Sequence, residues 1–234
     1  MRYRNYIWDF DGTLFDSYPH VLASMEVVNA EEGIDCDRLE LWRRLLVNFG
    51  EGRRYAGLSL EAYRRFVEYQ NRMGEDEIEP VVVPFEGAAE VLREIVENGG
   101  RNYLYTHRNR TSVGYLDRYG LRDYFSDIIT AEDGLPAKPA PDAVLRLIER
   151  NGLEPCECIM IGDRLIDGMA GINAGIAGAL ITAASDATKV TGGEYDAVAL
   201  ERELVPSVAE ATRETMKYVA GSIGEFWKQV GSEN

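Results

Sequence analysis

The chain is poor in the residues that form disulfide frameworks and zinc sites, with three cysteines and two histidines among 234 residues. Cys156 and Cys158 are separated by one residue, which is not the Cys-x-x-Cys spacing of a redox or zinc site. A sparse, odd number of cysteines indicates reduced thiols of the kind found in cytoplasmic proteins. We therefore expect a cytoplasmic location.

The sequence also lacks long apolar runs and any excess of positive charge. No run approaches the length of about 20 residues that crosses a membrane, and the N-terminus has no uninterrupted apolar stretch typical of a secretory signal. With 40 acidic and 25 basic residues, the formal net charge is −15 at pH 7. This charge disfavours nucleic acids and anionic membrane surfaces as partners. An anionic substrate would need a local basic patch or a metal ion in order to bind.

The patterning that is present is typical of an α/β protein. From residue 84 onward, short apolar runs alternate with helical patterns, which predicts a parallel sheet covered by helices on both faces. Residues 17–80 instead contain helical patterns alone, interrupted at the glycines of 50–52 and 57–59. We predict a core domain formed by residues 1–16 and 81–234, and a small helical cap domain formed by residues 17–80. Near the end, we predict a strand over 197–200 and a helix from about residue 206.

The most informative segment runs from Asp9 to Leu14, directly after the apolar run 6–8. Because strand residues i and i+2 share a face, Asp9 and Asp11 are expected to point the same way. Gly12 then allows a sharp turn at the carboxyl end of the strand, where α/β sheets bind ligands. Two acids held side by side repel each other unless a metal ion or a shared proton relieves the repulsion. The segment therefore predicts a catalytic site.

Polar residues follow the later predicted strands as well. Thr106 follows the run 102–105, Lys138 lies in the loop after the next strand, and Asp163 and Asp167 follow the strand ending at 162. The carboxyl ends of parallel strands meet at one edge, so we expect these residues to join the first two acids. Carboxylates can hold Mg²⁺, while a hydroxyl and an ammonium can hold phosphate oxygens. The set predicts phosphoryl transfer, with one carboxylate attacking phosphorus and another handling the leaving-group proton.

These segments resemble, in the same order, the four motifs of the haloacid-dehalogenase-like (HAD) hydrolase superfamily, over about residues 7–182. The closest resemblance is to its phosphoglycolate phosphatase and β-phosphoglucomutase-like branch. It implies a Rossmann-like core with a helical cap, and a Mg²⁺-dependent phosphatase acting through an aspartyl-phosphate. Its partner would be a small phosphorylated metabolite of the phosphoglycolate or sugar-phosphate type. Since the superfamily's dehalogenases lack the second acid, Asp11 favours phosphoryl transfer over carbon–halogen cleavage.

The resemblance also implies a role for each catalytic residue. Asp9 would be the nucleophile, and Asp11 would protonate the leaving oxygen and then activate water. Thr106 would hydrogen-bond the transferring phosphoryl group, and Lys138 would neutralise Asp9 and the phosphate.

A metal set is implied in the same way. Asp9, the backbone carbonyl of Asp11 and Asp163 would bind Mg²⁺. Asp167 would bind it through water, or would orient Lys138.

Further residues are candidates for substrate binding, because they lie within or next to the motifs or in the predicted cap. They are Gly12, Thr13, His107, Arg108, Arg53 and Arg54. The pair at 107–108 departs from the small residues usual in the family, and both substrate contact and a polar surface loop remain open. The pair at 53–54 is predicted in a glycine-flanked loop that could cover the site, with a solvated charge pair as the alternative.

Two other functions remain open for the same scaffold. A phosphomutase would pass the phosphoryl group from the aspartyl-phosphate back to a sugar. A catalytically idle binding protein would keep the fold without turnover, although such a protein has no need for mutually repelling acids. The sequence leaves open whether the protein is a monomer or a homodimer.

Overall fold

A computed structural model describes residues 2–74, 76–182, 197–208, 210–211 and 213–232, to which all structural statements refer. The strands are β1 (Asn5–Trp8), β2 (Phe15–Asp16), β3 (Val83–Pro84), β4 (Arg101–Tyr105), β5 (Phe125–Ile129), β6 (Cys158–Gly162), β7 (Ala177–Ile181) and β8 (Tyr218–Ala220). The helices are α1 (Tyr18–Glu32), α2 (Arg38–Val47), α3 (Phe49–Ala56), α4 (Leu60–Gln70), α5 (Ala88–Glu97), α6 (Thr111–Arg118), α7 (Asp142–Asn151), α8 (Leu165–Asn173), α9 (Ala197–Leu204) and α10 (Ile223–Gly231). None of the helices in these ranges is long and apolar enough to cross a membrane.

Six of these strands form one sheet in the order β5-β4-β1-β6-β7-β8, and every neighbouring pair is parallel. β1 lies between β4 and β6, and all four of its residues are buried. A strand buried on both faces is expected in a parallel sheet with helices on either side. The predicted α/β fold class, with a Rossmann-like parallel sheet, is thereby confirmed.

The side chains of β1 alternate between two apolar layers. Tyr6 and Trp8 belong to one cluster, where the Trp8 ring lies edge-on to Phe226 of α10 at 5.8 Å between ring centroids. Ile7 points to the opposite face and joins a cluster with Val144 of α7. Packing against these two layers holds β1 in place within the sheet. It thereby also positions the loop that follows β1 at the carboxyl edge.

Helices α1 to α4 lie between β2 and β3, which pair antiparallel with each other. The four helices pack around an apolar cluster of their own, which includes the buried side chains of Leu22, Leu45 and Phe66. The short β2–β3 ribbon thus joins the helical insertion to the sheet. The division of the chain into a core domain and a cap domain formed by residues 17–80 stays a proposal.

The predicted helix break at 50–52 is wrong, because these residues lie within α3. The break falls instead at Asn48, whose backbone is extended and whose side chain accepts a hydrogen bond from the backbone N–H of Glu51. The packing of α3 against α2 favours glycine at position 52, because a Cβ there would lie 2.5 Å from a methyl group of Leu45 on α2. The close approach of the two helices therefore requires a glycine at this position.

The structure also corrects two predictions near the end of the chain. Residues 197–200 belong to helix α9 and not to a strand. The predicted terminal helix begins only at Ile223 and not at about residue 206, and the stretch before it contains β8, which extends the sheet by pairing Tyr218 with Ala179 of β7. A strand of three residues is too short to show the alternating pattern by which strands are recognised in a sequence.

Candidate active site

The loop after β1 places two carboxylates at the edge of the sheet. The backbone N–H of Asp9 donates to the carbonyl of Ile161 on β6 at 2.8 Å, which extends the strand pairing by one residue. The chain then turns at Gly12, where φ is +77°, and the Gly12 N–H donates to the carbonyl of Phe15 at 2.8 Å. Asp9 and Asp11 are both buried at this turn.

Gly12 is packed too closely for a side chain to fit without strain. A Cβ at this position would overlap the ring of Tyr18 and the carboxylate of Asp163, and the positive φ is unfavourable for any side chain. We expect Gly12→Ala to lower both the melting temperature and the turnover rate. Gly33→Ala is a matched control, because Gly33 also has a positive φ, of +67°, but open space around it. Equal losses in the two variants, measured by thermal unfolding and activity, would contradict close packing at Gly12.

Three acids come together behind this turn. Asp9, Asp163 and Asp167 each offer an oxygen within 4.8 Å of the others, and all three are buried. The ammonium of Lys138 lies 2.6 Å from Oδ1 of Asp9 and 2.8 Å from Oδ1 of Asp167. The second oxygen of Asp9, Oδ2, is buried without a hydrogen-bond partner among the described residues. One lysine is therefore shared by two carboxylates, and the cluster remains rich in negative charge.

The pKa values reflect this excess of negative charge. Burial raises the pKa of Asp9 to about 6, although Lys138 acts in the opposite direction. Burial also raises the pKa of Asp163 well above its usual value, against the charge of Arg164. For Asp167, burial is outweighed by Lys138 and Arg164, which lower its pKa. Ionising the whole cluster therefore costs free energy that a bound cation would recover.

The cluster fits a divalent metal ion. Its donors are hard carboxylate oxygens, which Mg²⁺ prefers, and a cation would offset the cost of burying three acids around one lysine. Asp163 is further held by the hydroxyls of Tyr18 and Thr13, at 2.9 Å and 3.3 Å. The predicted metal residues Asp9, Asp163 and Asp167 are thus brought together by the fold.

Asp11 has a different partner from the other acids. The guanidinium of Arg108 donates to its Oδ1 from Nη2 at 2.8 Å and from Nε at 3.0 Å, and the pair is almost fully buried. Burial alone would raise the pKa of Asp11, but the charge and hydrogen bonds of Arg108 outweigh burial and lower it. The structure therefore places Arg108 on the second of the two acids that follow β1, a contact that the sequence did not predict.

Thr106 and His107 follow β4 and support their neighbours. The hydroxyl of Thr106 accepts a hydrogen bond from the backbone N–H of Arg108 at 3.0 Å, so its own proton remains available for another acceptor. Nε2 of His107 accepts the backbone N–H of Lys138 at 3.0 Å. Burial, and then the charge of Lys138, lowers the pKa of His107 to about 3, so the ring is neutral near pH 7. His107 thus helps to position the loop that carries Lys138.

A cavity of about 340 Å³ opens above these residues, between the sheet edge and the inserted helices. Its described lining combines acids, cations and apolar groups, namely Asp9, Asp11, Tyr18, Asn48, Phe49, Gly50, Tyr63, Val67, Gln70, Asn71, His107, Arg108, Asn109, Ala131 and Arg164. This volume suits a small metabolite rather than a polymer.

Two candidate residues for substrate binding are absent from the described lining of this cavity. Arg53 and Arg54 are on helix α3 rather than in a loop, and neither is among the described lining residues. Arg53 donates to the carbonyl of Leu58 at 3.1 Å, and Arg54 forms an ion pair with Glu51. Gly12 and Thr13 lie beneath the lining and contact Asp163 rather than the open space.

Arg164 and Tyr18 belong to the site but were missed in the sequence analysis. Arg164 lines the cavity directly after Asp163, and its Nη1 donates to the carbonyl of Val47 at the end of α2, at 3.5 Å. Its position inside the Gly-Asp-x-x-x-Asp segment was a signal that could have been used. Tyr18 gave no signal, because its contact with Asp163 joins residues 145 positions apart.

Comparison with known proteins is consistent with this arrangement. The sequence model of the haloacid dehalogenase-like hydrolases matches residues 3–175. A phosphoglycolate phosphatase of Thiobacillus denitrificans is 31% identical over 218 residues, which cover 87% of this chain and 91% of that protein. The phosphoglycolate phosphatase of Caulobacter vibrioides is 28% identical over 188 residues, covering 75% of this chain and 77% of that protein.

A solved structure shows the same fold. A haloacid dehalogenase-like family hydrolase from Streptococcus pneumoniae superposes with a TM-score of 0.70 at 18% identity, covering 97% of this chain and 98% of that one. The family model matches far more than half of the chain, from β1 to the end of α8. The chain therefore belongs to the haloacid dehalogenase-like hydrolase family and falls among its phosphatases.

Proposed function

We propose that this protein hydrolyses a small phosphorylated metabolite, of the phosphoglycolate or sugar-phosphate type, with Mg²⁺ and through phosphoryl transfer to Asp9. The observation that carries the proposal is the buried cluster of Asp9, Asp163 and Asp167, in which Lys138 bridges two of the acids. Such a cluster is unfavourable for a protein that only binds a ligand, since its repulsion has to be offset by the rest of the fold.

The contacts of Asp9 support its proposed role as the nucleophile. Lys138 holds its Oδ1 at 2.6 Å, while Oδ2 is buried without a partner, so one oxygen is fixed and the other is available. The residue also lines the cavity in which a phosphate ester would lie. A metal ion held by Asp9, Asp163 and Asp167 would supply positive charge against the phosphoryl oxygens and relieve the repulsion among the acids. Lys138 would add a second positive charge beside the attacking carboxylate.

Asp11 and Thr106 would complete the reaction. Asp11 lines the cavity two residues beyond Asp9. Because Arg108 favours its ionised form, Asp11 would have to gain a proton as that contact loosens; it would then give the proton to the leaving oxygen and later take one from water. The hydroxyl of Thr106 can donate its proton to a phosphoryl oxygen, because it already accepts the N–H of Arg108. The helices above the cavity would keep bulk water away during transfer.

The class of substrate follows from the size of the cavity and from the relatives. A cavity of about 340 Å³ accommodates a small metabolite, and it combines charged groups at the sheet edge with Phe49, Tyr63 and Val67 from the inserted helices. The curated relatives described above are phosphoglycolate phosphatases, which makes phosphoglycolate the first compound to test.

Cellular context remains a prediction from the sequence. The net charge of −15 and the sparse cysteines favour a cytoplasmic enzyme without nucleic-acid or membrane partners. Monomer and homodimer both remain open.

The test is phosphate release from a panel of small phosphorylated metabolites, measured with Mg²⁺ and again with a chelator. We expect release from one or a few compounds, loss of that release with the chelator, and recovery when excess Mg²⁺ is added back. Release that is indifferent to the chelator would contradict the metal assignment. Conversion of a sugar phosphate to its isomer without free phosphate would indicate a mutase instead.

A further inference from the structure

The contact between Arg108 and Asp11 occupies the carboxylate that the reaction needs. Besides the two hydrogen bonds to Oδ1, Nε of Arg108 lies 3.3 Å from Oδ2 of Asp11, so both carboxylate oxygens face the guanidinium. A carboxyl that gives its proton to a leaving oxygen has to face that oxygen instead. Arg108 must therefore change partner, at least in part, before Asp11 can act.

Arg108 is poorly placed to move into solvent. Its side chain is only 2% exposed, and its Nη1 donates to the carbonyl of Gln70, at the end of α4, at 3.2 Å. The rings of Phe10 and Tyr115 lie 5.6 Å and 5.8 Å from its central carbon. A buried guanidinium that loses its carboxylate is left with a large desolvation cost unless another anion replaces it.

The replacement has to come from the cavity, because Arg108 lines it directly. Arginine has five N–H donors, and the contacts to Asp11 and Gln70 use three of them. The remaining donors can receive an anionic group before the bond to Asp11 is given up. Arg164 adds a second guanidinium to the lining of the same cavity.

We propose that Arg108 binds a second anionic group of the substrate, a carboxylate or a phosphate at the end opposite the transferred phosphoryl group, and releases Asp11 as it does so. This inference rests on the proposed phosphatase function and narrows its substrates to compounds with an anion at both ends. Recognition and catalysis are then linked, since a phosphate ester with a neutral tail leaves Arg108 on Asp11. Neutral sugar phosphates should accordingly be poor substrates.

The test is calorimetric binding, with Mg²⁺ present, of three stable phosphonates that differ only at the far end. 3-Phosphonopropionate carries a carboxylate there, 1,2-ethylenediphosphonate carries a phosphonate, and 3-hydroxypropylphosphonate carries a neutral hydroxyl. We expect the wild type to bind one or both of the doubly anionic compounds at least about 10-fold more tightly than the hydroxyl compound. The preferred compound identifies the second group as a carboxylate or a phosphate.

Two variants and a control identify the residue responsible. Arg108→Met should remove the preference, whereas Arg146→Met, which changes an exposed arginine on α7, should keep it. Asp11→Asn removes the competing charge but keeps the shape, so it should bind the preferred compound more tightly than the wild type does. The hydroxyl compound should not gain in the same variant. This gain in Asp11→Asn keeps the test decisive if Arg108→Met folds poorly.

Equal binding of all three phosphonates by the wild type would overturn the proposal. So would a preference that persists in a folded Arg108→Met variant, or an Asp11→Asn variant that gains nothing. Failure of the phosphatase function is a separate result: the protein would still prefer a doubly anionic phosphonate, yet would release no phosphate from phosphoglycolate, pyrophosphate or 2-hydroxyethyl phosphate.

Discussion

Asp9→Asn should reduce phosphate release by at least about 10³-fold, because the change removes the proposed nucleophile and an oxygen of the proposed metal site together. The amide has nearly the same shape as the carboxylate, which is buried to 1% exposure. Burial raises the pKa of Asp9 to about 6, which means that its charge is costly in the folded protein. We therefore expect the melting temperature in metal-free buffer to be unchanged or higher. Steady-state phosphate release and thermal unfolding measure the two effects.

The matched control is Asp142→Asn, which makes the same chemical change on an exposed residue of α7. It should leave both turnover and the melting temperature within experimental error. Turnover of Asp9→Asn within about 10-fold of the wild type would exclude Asp9 as the nucleophile, since losing a covalent catalyst costs far more.

Lys138→Met should also remove most activity, and in addition should destabilise the metal-free protein. The ammonium is fully buried and bridges Asp9 and Asp167 at 2.6 Å and 2.8 Å. Removing it leaves two buried carboxylates without their shared cation, which we expect to lower the free energy of unfolding by about 3 kcal/mol or more. Methionine fills much of the same volume, so packing changes little. Mg²⁺ should restore part of the stability but not the activity.

Denaturant unfolding with and without Mg²⁺ measures the stability, and Lys228→Met on α10 is the control because Lys228 is exposed. The assignment of Lys138 would be contradicted by a variant that keeps normal phosphate release. A stability loss that Mg²⁺ does not reduce at all would show that the metal ion lies elsewhere.

The sheet and the polar residues at its carboxyl edge could be predicted because their signals are local in the sequence. Strands β1 and β6 are short, mostly apolar runs followed at once by an acid, Asp9 after β1 and Asp163 after β6. The parallel arrangement then brings these ends together without further information. The sheet topology brings together the motif residues, namely Asp9, Asp163, Asp167 and Lys138. The order of the motifs was therefore enough to predict this cluster.

The contact between Arg108 and Asp11 could not be predicted in the same way. It joins residues 97 positions apart, and it depends on the direction that one side chain takes from a loop. The sequence placed Arg108 near the phosphate but could not distinguish a substrate contact from a solvated turn. The structure shows instead a buried ion pair.

The errors among the helices have a related cause. Glycine is unfavourable inside a helix, so Gly50 and Gly52 predict a break at 50–52. Close packing against Leu45 and the capping side chain of Asn48 outweigh that local preference. The wrong prediction that Arg53 and Arg54 lie in a loop has the same cause, since they follow the misplaced break directly.

The most direct test of the central claim is to trap the phosphorylated enzyme. The protein would be mixed with its best substrate and Mg²⁺, quenched in acid, and treated with borohydride, which reduces an acyl phosphate of aspartate to homoserine. We predict homoserine at position 9 by peptide mass spectrometry, with none in Asp9→Asn or without substrate. Rapid turnover with no homoserine at position 9, or with homoserine at another aspartate, would contradict phosphoryl transfer to Asp9.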